Sequence, residues 1–293
     1  MLQPYHYEWL EHPKEHGMEI EKYTTKGGIP YLMVTRNKNH TSSQRITTVM
    51  RTFHDLNISI KNCDATLVMF HGKNGRKEDL LPVAERYIAL GFTCLLIDLP
   101  AHGESPIDSV YYATKEYEQN YVDAVLDDVY THISKKPLMM WGMSLGGAFA
   151  IQNVYHSKYP FKALVLVATF DRFDGVLKDK AVRLFGSFIG SSLYSILEKS
   201  LSFFDNFSPR DSHSAKVASK LSLPIFMIHG KDDRLIDYKR GKALLDSFDS
   251  TDKNFALDKK GNHHNILITD YPFYKESGAF LLKNLSDSNK KRL

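Results

Sequence analysis

The sequence predicts an α/β fold: a doubly wound, mostly parallel sheet carrying a helical insertion. Three observations point there. Short apolar runs at Thr66–Phe70, Phe92–Leu99, Leu138–Trp141, Phe161–Thr169 and Pro224–His229 have the composition of strands buried on both faces. Segments with apolar residues at helical spacing separate these runs, and such alternation builds a parallel sheet covered on both sides. The alternation breaks once, between Thr169 and Leu223, where helical spacing continues without a strand.

Taken in order, the chain begins with a predicted hairpin. Met18–Tyr23 and Ile29–Val34 flank Lys26-Gly27-Gly28. From Arg36 to Asn62 no period emerges, and an irregular strand or a long loop is expected. The Thr66–Phe70 strand ends in His71-Gly72-Lys73-Asn74-Gly75. A helix follows with Leu80, Val83, Ala84, Tyr87 and Ile88 on one face, Pro82 in its first turn and Gly91 beyond its end. The next strand closes on Asp98-Leu-Pro-Ala-His102-Gly103-Glu-Ser105. A helix bearing Val122, Val125, Leu126, Val129 and Ile133 leads to the Leu138–Trp141 strand. Asn254–Leu257 is a weaker strand, and Tyr238–Phe248 and Phe273–Leu285 are helices.

This divides the chain into a lead-in over 1–61, a core over 62–170 and 223–293, and an insertion over 171–222. The insertion carries Val182, Phe185, Ile189, Leu193, Ile196 and Leu197 at helical spacing, with a polar face rich in serine rather than in basic residues. That composition disfavours an interfacial membrane anchor. A helical cap is expected, its apolar face packed over the opening above the site at the strands' C-terminal ends.

The bulk composition narrows the class. The 293 residues are 43% hydrophobic and 25% charged, with a formal net charge of +4 and lysines interleaved with acids, which leaves no nucleic-acid footprint. No run approaches the ~20 apolar residues of a membrane span, so no stable membrane insertion is expected. Met1–Leu10 lacks the pattern of a signal peptide, and a cytoplasmic setting is the default. Cys63 and Cys94 are too few for a disulfide framework. The oligomeric state is open.

The chemistry centres on Gly142-Met143-Ser144-Leu145-Gly146, lying between an apolar strand and a helix with Ala148, Phe149, Ile151, Val154 and Tyr155. In that context a sharp turn lifts a serine hydroxyl above the sheet edge, making Ser144 the candidate nucleophile. A serine hydroxyl needs a base near pH 7, and a carboxylate to orient that base. The loop after Ile225–His229 offers Asp232 and Asp233. The Gly-x-x-Asp spacing from Gly230 selects Asp233, with Asp171 in reserve. The base is expected in Gly261-Asn262-His263-His264-Asn265. Adjacent side chains rarely converge on one ion, and no Cys or Glu partner stands at ligand spacing, so neither a metal nor a cofactor is expected. The order Ser144, Asp233, His264 is the one this triad takes on this fold. The backbone amides of Leu145 and Lys73 are the candidate oxyanion donors, and His71 reads as a loop-packing residue.

Taken together, the segments starting at His71, Asp98, Gly142, Gly230 and Gly261 resemble the α/β-hydrolase family, in its lysophospholipase, monoacylglycerol-lipase and serine-aminopeptidase-like branch, over roughly residues 62 to 285. The resemblance implies Ser144, Asp233 and His264 as catalytic residues, with Lys73 and Leu145 at the oxyanion site. Two departures stand out. Ala101 replaces the first glycine of the usual Gly-His-Gly. His263 occupies the place where a glycine usually precedes the catalytic histidine, which leaves His263 as the alternative base. Dehalogenases and epoxide hydrolases of this family carry Asp at the nucleophile position, so Ser144 points to acyl transfer. A small-molecule ester or acyl substrate is expected, with thioesterase and aminopeptidase as variants on the same triad. A non-catalytic binding protein on the same fold is the rival class, and the presence of serine, acid and histidine together argues against it.

Overall fold

In a computed structural model describing residues 6–37, 39, 43–58, 60, 63–204, 207–268 and 271–290, the apolar runs become strands. They are β1 (Met18–Thr24), β2 (Pro30–Arg36), β3 (Thr66–Phe70), β4 (Thr93–Ile97), β5 (Leu138–Met143), β6 (Phe161–Val167), β7 (Ile225–Gly230) and β8 (Lys253–Asp258). All eight join one sheet in the order β1-β2-β4-β3-β5-β6-β7-β8. From β4 to β8 every pairing is parallel, while β1 pairs β2 and β2 pairs β4 antiparallel. The fold is the expected α/β class, and the N-terminal hairpin joins the same sheet.

The helices are α1 (His6–Glu11), α2 (Gln44–Asp55), α3 (Leu81–Ile88), α4 (Glu116–Gln119), α5 (Tyr121–Val129), α6 (Leu145–His156), α7 (Phe173–Phe185), α8 (Ser187–Phe204), α9 (Ser214–Ala218), α10 (Tyr238–Ser247) and α11 (Tyr271–Lys290). Successive side chains along a strand point to opposite faces. Leu67, Met69, Leu96 and Trp141 accordingly bury on one side with Phe53 of α2, Tyr87 of α3 and Phe273 of α11. Val68, Phe70, Leu95 and Met140 bury on the other with Val122 of α5, Phe149 of α6 and Leu244 of α10.

Helix α2 corrects the expectation for residues 36–62. Ser43 caps it, its hydroxyl accepting the Ile46 N–H at 3.2 Å, and Ile46, Val49 and Phe53 form its buried stripe. The spacing is helical. Thr47, Thr48 and Thr52 between these residues mask it, being weak helix formers held here by tertiary burial.

The insertion holds α7, α8 and α9, but its apolar face is not where periodicity placed it. Phe185, Ile189 and Ile196 are 53%, 57% and 62% exposed. The phase is broken at Gly186, with φ 78°, where α7 ends and the chain turns back into α8. The helices cross closely enough that a Cβ on Gly190 would lie 2.5 Å from the Ala181 carbonyl oxygen. A periodicity read across that turn therefore joins residues of two different helices into one face.

Candidate active site

The site begins at the end of β5. Ser144 sits between β5 and α6 with φ 53° and ψ −118°, a conformation rarely adopted by a residue with a side chain. Its N–H donates to the Val167 carbonyl at 2.8 Å, which ties the turn to β6. Glycine is required where backbones meet. A Cβ on Gly146 would lie 2.3 Å from the His71 carbonyl oxygen, and one on Gly142 would lie 2.4 Å from that of Gly146. The chain thus folds tightly around Ser144, leaving its hydroxyl at the head of α6.

The candidate acid lies in the loop after β7 and the candidate base in the loop after β8. Asp232 N–H donates to the Gly261 carbonyl at 3.0 Å, pinning the two loops together. Asp233 Oδ1 accepts the N–H groups of Leu235 and Ile236, each at 2.8 Å, and its Oδ2 lies 2.7 Å from His263 Nδ1. His263 Nε2 lies 3.1 Å from Ser144 Oγ. A carboxylate only accepts, so the proton resides on Nδ1 and Nε2 is left to accept from the serine hydroxyl. Burial opposes ionisation of Asp233. Hydrogen bonds from His229 and His263, the charge of His263 and the Ile236 amide outweigh it, holding the carboxyl well below the usual carboxylate range.

The histidine brought to Ser144 and Asp233 is thus His263, not His264, which corrects the expectation. The Asn262 side chain accepts the N–H groups of His264 and Asn265, and Asn265 accepts that of Asn262, so the turn is fixed from both ends. In a turn this tight adjacent side chains diverge. His263 is buried, whereas His264 is exposed at the cleft rim. Of the other carboxylates, Asp171 pairs with Arg240 at 2.9 Å and Asp232 is exposed.

The 71–75 loop passes directly beside the nucleophile, so close that a Cβ on Gly72 would lie 3.5 Å from Ser144 Cβ. His71 is buried within it, with Nδ1 donating to the Gly72 carbonyl at 2.8 Å and Nε2 accepting the Leu99 N–H at 3.2 Å. Burial pulls its pKa down to about 4, so it is neutral near pH 7 and packs the loop. Among the described residues, neither the Lys73 nor the Leu145 amide has a protein acceptor, and both residues line the cleft with Ser144.

Two contributors escaped the sequence reading. His229, fully buried at the end of β7, donates from Nε2 to the Ile236 carbonyl at 2.9 Å and stands 3.4 Å from Asp233 Oδ2. A polar residue closing an otherwise apolar strand was its only signal. Tyr112, at φ 54°, stacks on Phe173 at 3.9 Å and accepts a hydrogen bond from Lys73 Nζ at 2.7 Å. Nothing local announces it.

Ser144 opens onto a cleft of about 840 Å³. One arm is walled by Phe170 and by Phe173, Val176 and Leu177 of α7, facing Leu235 and Ile236. The first turns of α7, and not the later residues that periodicity selected, supply this apolar wall.

The profile of a family described as serine aminopeptidase, S33, matches residues 61–199 and 193–268, more than half of the chain. The chain belongs to this family of α/β-hydrolases. Within it, the chain is similar to the protein bem46 of Schizosaccharomyces pombe, with 24% identity over 220 residues, spanning 75% of this chain and 68% of bem46. Among solved structures, an esterase of Pyrococcus furiosus superposes with a TM-score of 0.64 at 16% identity, over 92% of this chain and 95% of that one. A monoacylglycerol lipase of Paleococcus ferrophilus superposes with a TM-score of 0.59 at 14% identity, over 75% and 94%. At those identities the likeness is one of fold. The candidate site lies at the sheet's C-terminal edge, where Ser144, Asp233 and His263 follow β5, β7 and β8. No helix among the described residues is long and apolar enough to cross a membrane.

Proposed function

We propose that this α/β-hydrolase cleaves a carboxylic ester through an acyl-enzyme on Ser144, with His263 as base and Asp233 as acid. The observation carrying this reading is the continuous hydrogen-bonded line from Asp233 Oδ2 through His263 to Ser144 Oγ, at 2.7 Å and 3.1 Å. Ser144 Oγ attacks the ester carbonyl carbon as its proton passes to His263 Nε2. Asp233 stabilises the imidazolium so formed. The carbonyl oxygen, now negative, receives the free amides of Lys73 and Leu145, each typically contributing about 3 kcal/mol to the transition state. Collapse expels the alcohol, which takes the proton from His263. Water then enters, gives a proton to His263 and releases the acid, returning the proton to Ser144.

The apolar arm suits an acyl chain, and the insertion serves as its wall. An aminopeptidase would need a carboxylate for the substrate's free amino terminus. Among the described residues, the carboxylate lining this cleft is Asp79, whose Oδ2 already accepts the Arg76 N–H at 3.0 Å, which favours the ester. The names of the two superposed structures, an esterase and a monoacylglycerol lipase, agree in direction. The test is Ser144→Ala. The variant should retain its fold, lose at least about a thousandfold in kcat on p-nitrophenyl esters, and no longer react with a fluorophosphonate. A thioester and an aminoacyl anilide assayed beside the esters rank the alternatives. Labelling that persists in Ser144→Ala would place the nucleophile elsewhere.

A further inference from the structure

The second arm of the cleft differs in chemistry from the first. It runs from the 71–75 loop towards α1, α2 and α3, and Trp9, Arg45, Arg86 and Tyr274 line it together with Leu80 and Val83. Trp9 and Arg45 lie before residue 61, outside the stretch that matches the family. This arm is therefore framed by the chain's own N-terminal segment.

Both arginines are mounted on aromatic rings. The Arg86 guanidinium lies 4.3 Å from the centroid of Tyr274, and that of Arg45 lies 5.2 Å from Trp9. Glu85, fully buried beneath, accepts the Trp9 indole N–H at 3.1 Å and the Ser43 hydroxyl at 2.5 Å, binding α1 and the start of α2 to α3. Glu85 also lies 3.3 Å from Arg45, whose side chain keeps 44% of its surface exposed. Arg86 is half-buried and has no carboxylate partner among the described residues, and one of its N–H groups donates to the Pro82 carbonyl within its own helix. A guanidinium has five donors in a planar fork, so most of those of Arg86 are left for a ligand. Among the described residues lining the cleft, Arg45, Lys73, Arg86 and Lys180 stand against one carboxylate, that of Asp79, with buried Glu85 behind Arg45. A partly desolvated cation without a counter-ion is stabilised by whatever anion fills the arm.

We propose that this arm is an oxyanion subsite, and that the ester hydrolysed at Ser144 carries a carboxylate or a phosphate away from its scissile carbonyl. Arg86 takes the anion in a forked pair, with Arg45 at the rim, while Leu80, Val83 and the two rings contact the linker. The substrate-class half of this inference rests on the proposed ester hydrolysis. The binding half does not.

The experiment measures binding and turnover separately. Binding is followed by calorimetry on Ser144→Ala with three probes: 1-butyryl-glycerol, 1-butyryl-glycerol 3-phosphate and the butyrate ester of 3-hydroxypropionate. Tighter binding of a charged probe, by at least about tenfold at low salt, is expected, and whichever one gains identifies phosphate or carboxylate as the source. Adding Arg86→Gln should remove most of that preference, while Arg86→Lys should keep part of it. Arg45→Gln, expected to halve the preference or more, serves as the second variant should Arg86→Gln melt early. Equal binding of all three probes, or a preference indifferent to both arginines, overturns the subsite. In the parent enzyme, equal kcat/KM for neutral and charged esters would reject the substrate class and leave the hydrolase reading standing. Selective binding without turnover of any ester would do the reverse.

Discussion

His263 Nδ1 stands 2.7 Å from Asp233 Oδ2, while the ring of its neighbour His264 meets it edge-on at 5.8 Å and is exposed at the cleft rim. Two identical side chains on consecutive residues are thereby given different environments by one tight turn. His263→Ala should lower kcat by at least about a thousandfold. His264→Ala should cost less than about tenfold, since it is His263 that hydrogen-bonds to Asp233 and Ser144. The opposite ranking in a steady-state comparison would return the base to His264.

The carboxylates separate in the same way. Asp233→Asn removes the charge that stabilises the imidazolium, and kcat should fall by roughly a thousandfold or more at neutral pH. Asp171→Asn should instead lower the melting temperature, because Asp171 holds Arg240. A larger loss of kcat in Asp171→Asn than in Asp233→Asn would refute the assignment.

The ionisation of Asp233 also predicts a pH dependence of stability. Its folded pKa is held below the unfolded value, principally by hydrogen bonds from His229 and His263 that overcome burial. A depressed carboxylate stabilises the fold above its unfolded pKa of about 3.9, and that contribution is lost as the pH falls through the folded value. Denaturant midpoints of the parent should therefore exceed those of Asp233→Asn at about pH 5. Below about pH 4 the margin should narrow. A margin that widens as the pH falls below about 4 would contradict the sign.

The apolar arm should discriminate by chain length. Each methylene buried there contributes up to ~0.8 kcal/mol, so kcat/KM should rise severalfold per two-carbon step until the arm is full. Val176→Asp or Leu177→Asp should flatten the series, because both residues line the arm. Phe185→Asp, more than half exposed on the far end of α7, should leave it unchanged. A flat profile in the parent enzyme would remove the acyl role from this arm.

Phe53 tests whether the N-terminal segment belongs to the core. It is buried between the sheet and α11, where a Cβ on Gly278 would lie 2.9 Å from its ring. Phe53→Ala should destabilise the whole chain by about 3–5 kcal/mol. A single shifted transition is expected in urea, whereas a separate early transition would show that α2 folds independently.

The sequence by itself determined the parallel core, the turn that carries Ser144 and the placement of Asp233, because each has a local cause. A run such as Thr66–Phe70 must bury both faces, Gly142 and Gly146 permit the backbone contacts around Ser144, and the spacing from Gly230 places Asp233 in the loop after β7. The tertiary structure decided what depends on direction. His263 and His264 are equivalent as letters, and only the turn fixed by Asn262 and Asn265 sends the first towards Ser144. In the insertion, helical spacing was legible across Gly186, but the reversal there exposes Phe185 and Ile196 and leaves Val176 and Leu177 against the cleft. The arginine arm lay beyond any local signal. Arg45 and Arg86 are separated along the chain, and it is burial of Glu85 between their helices that brings both to one wall.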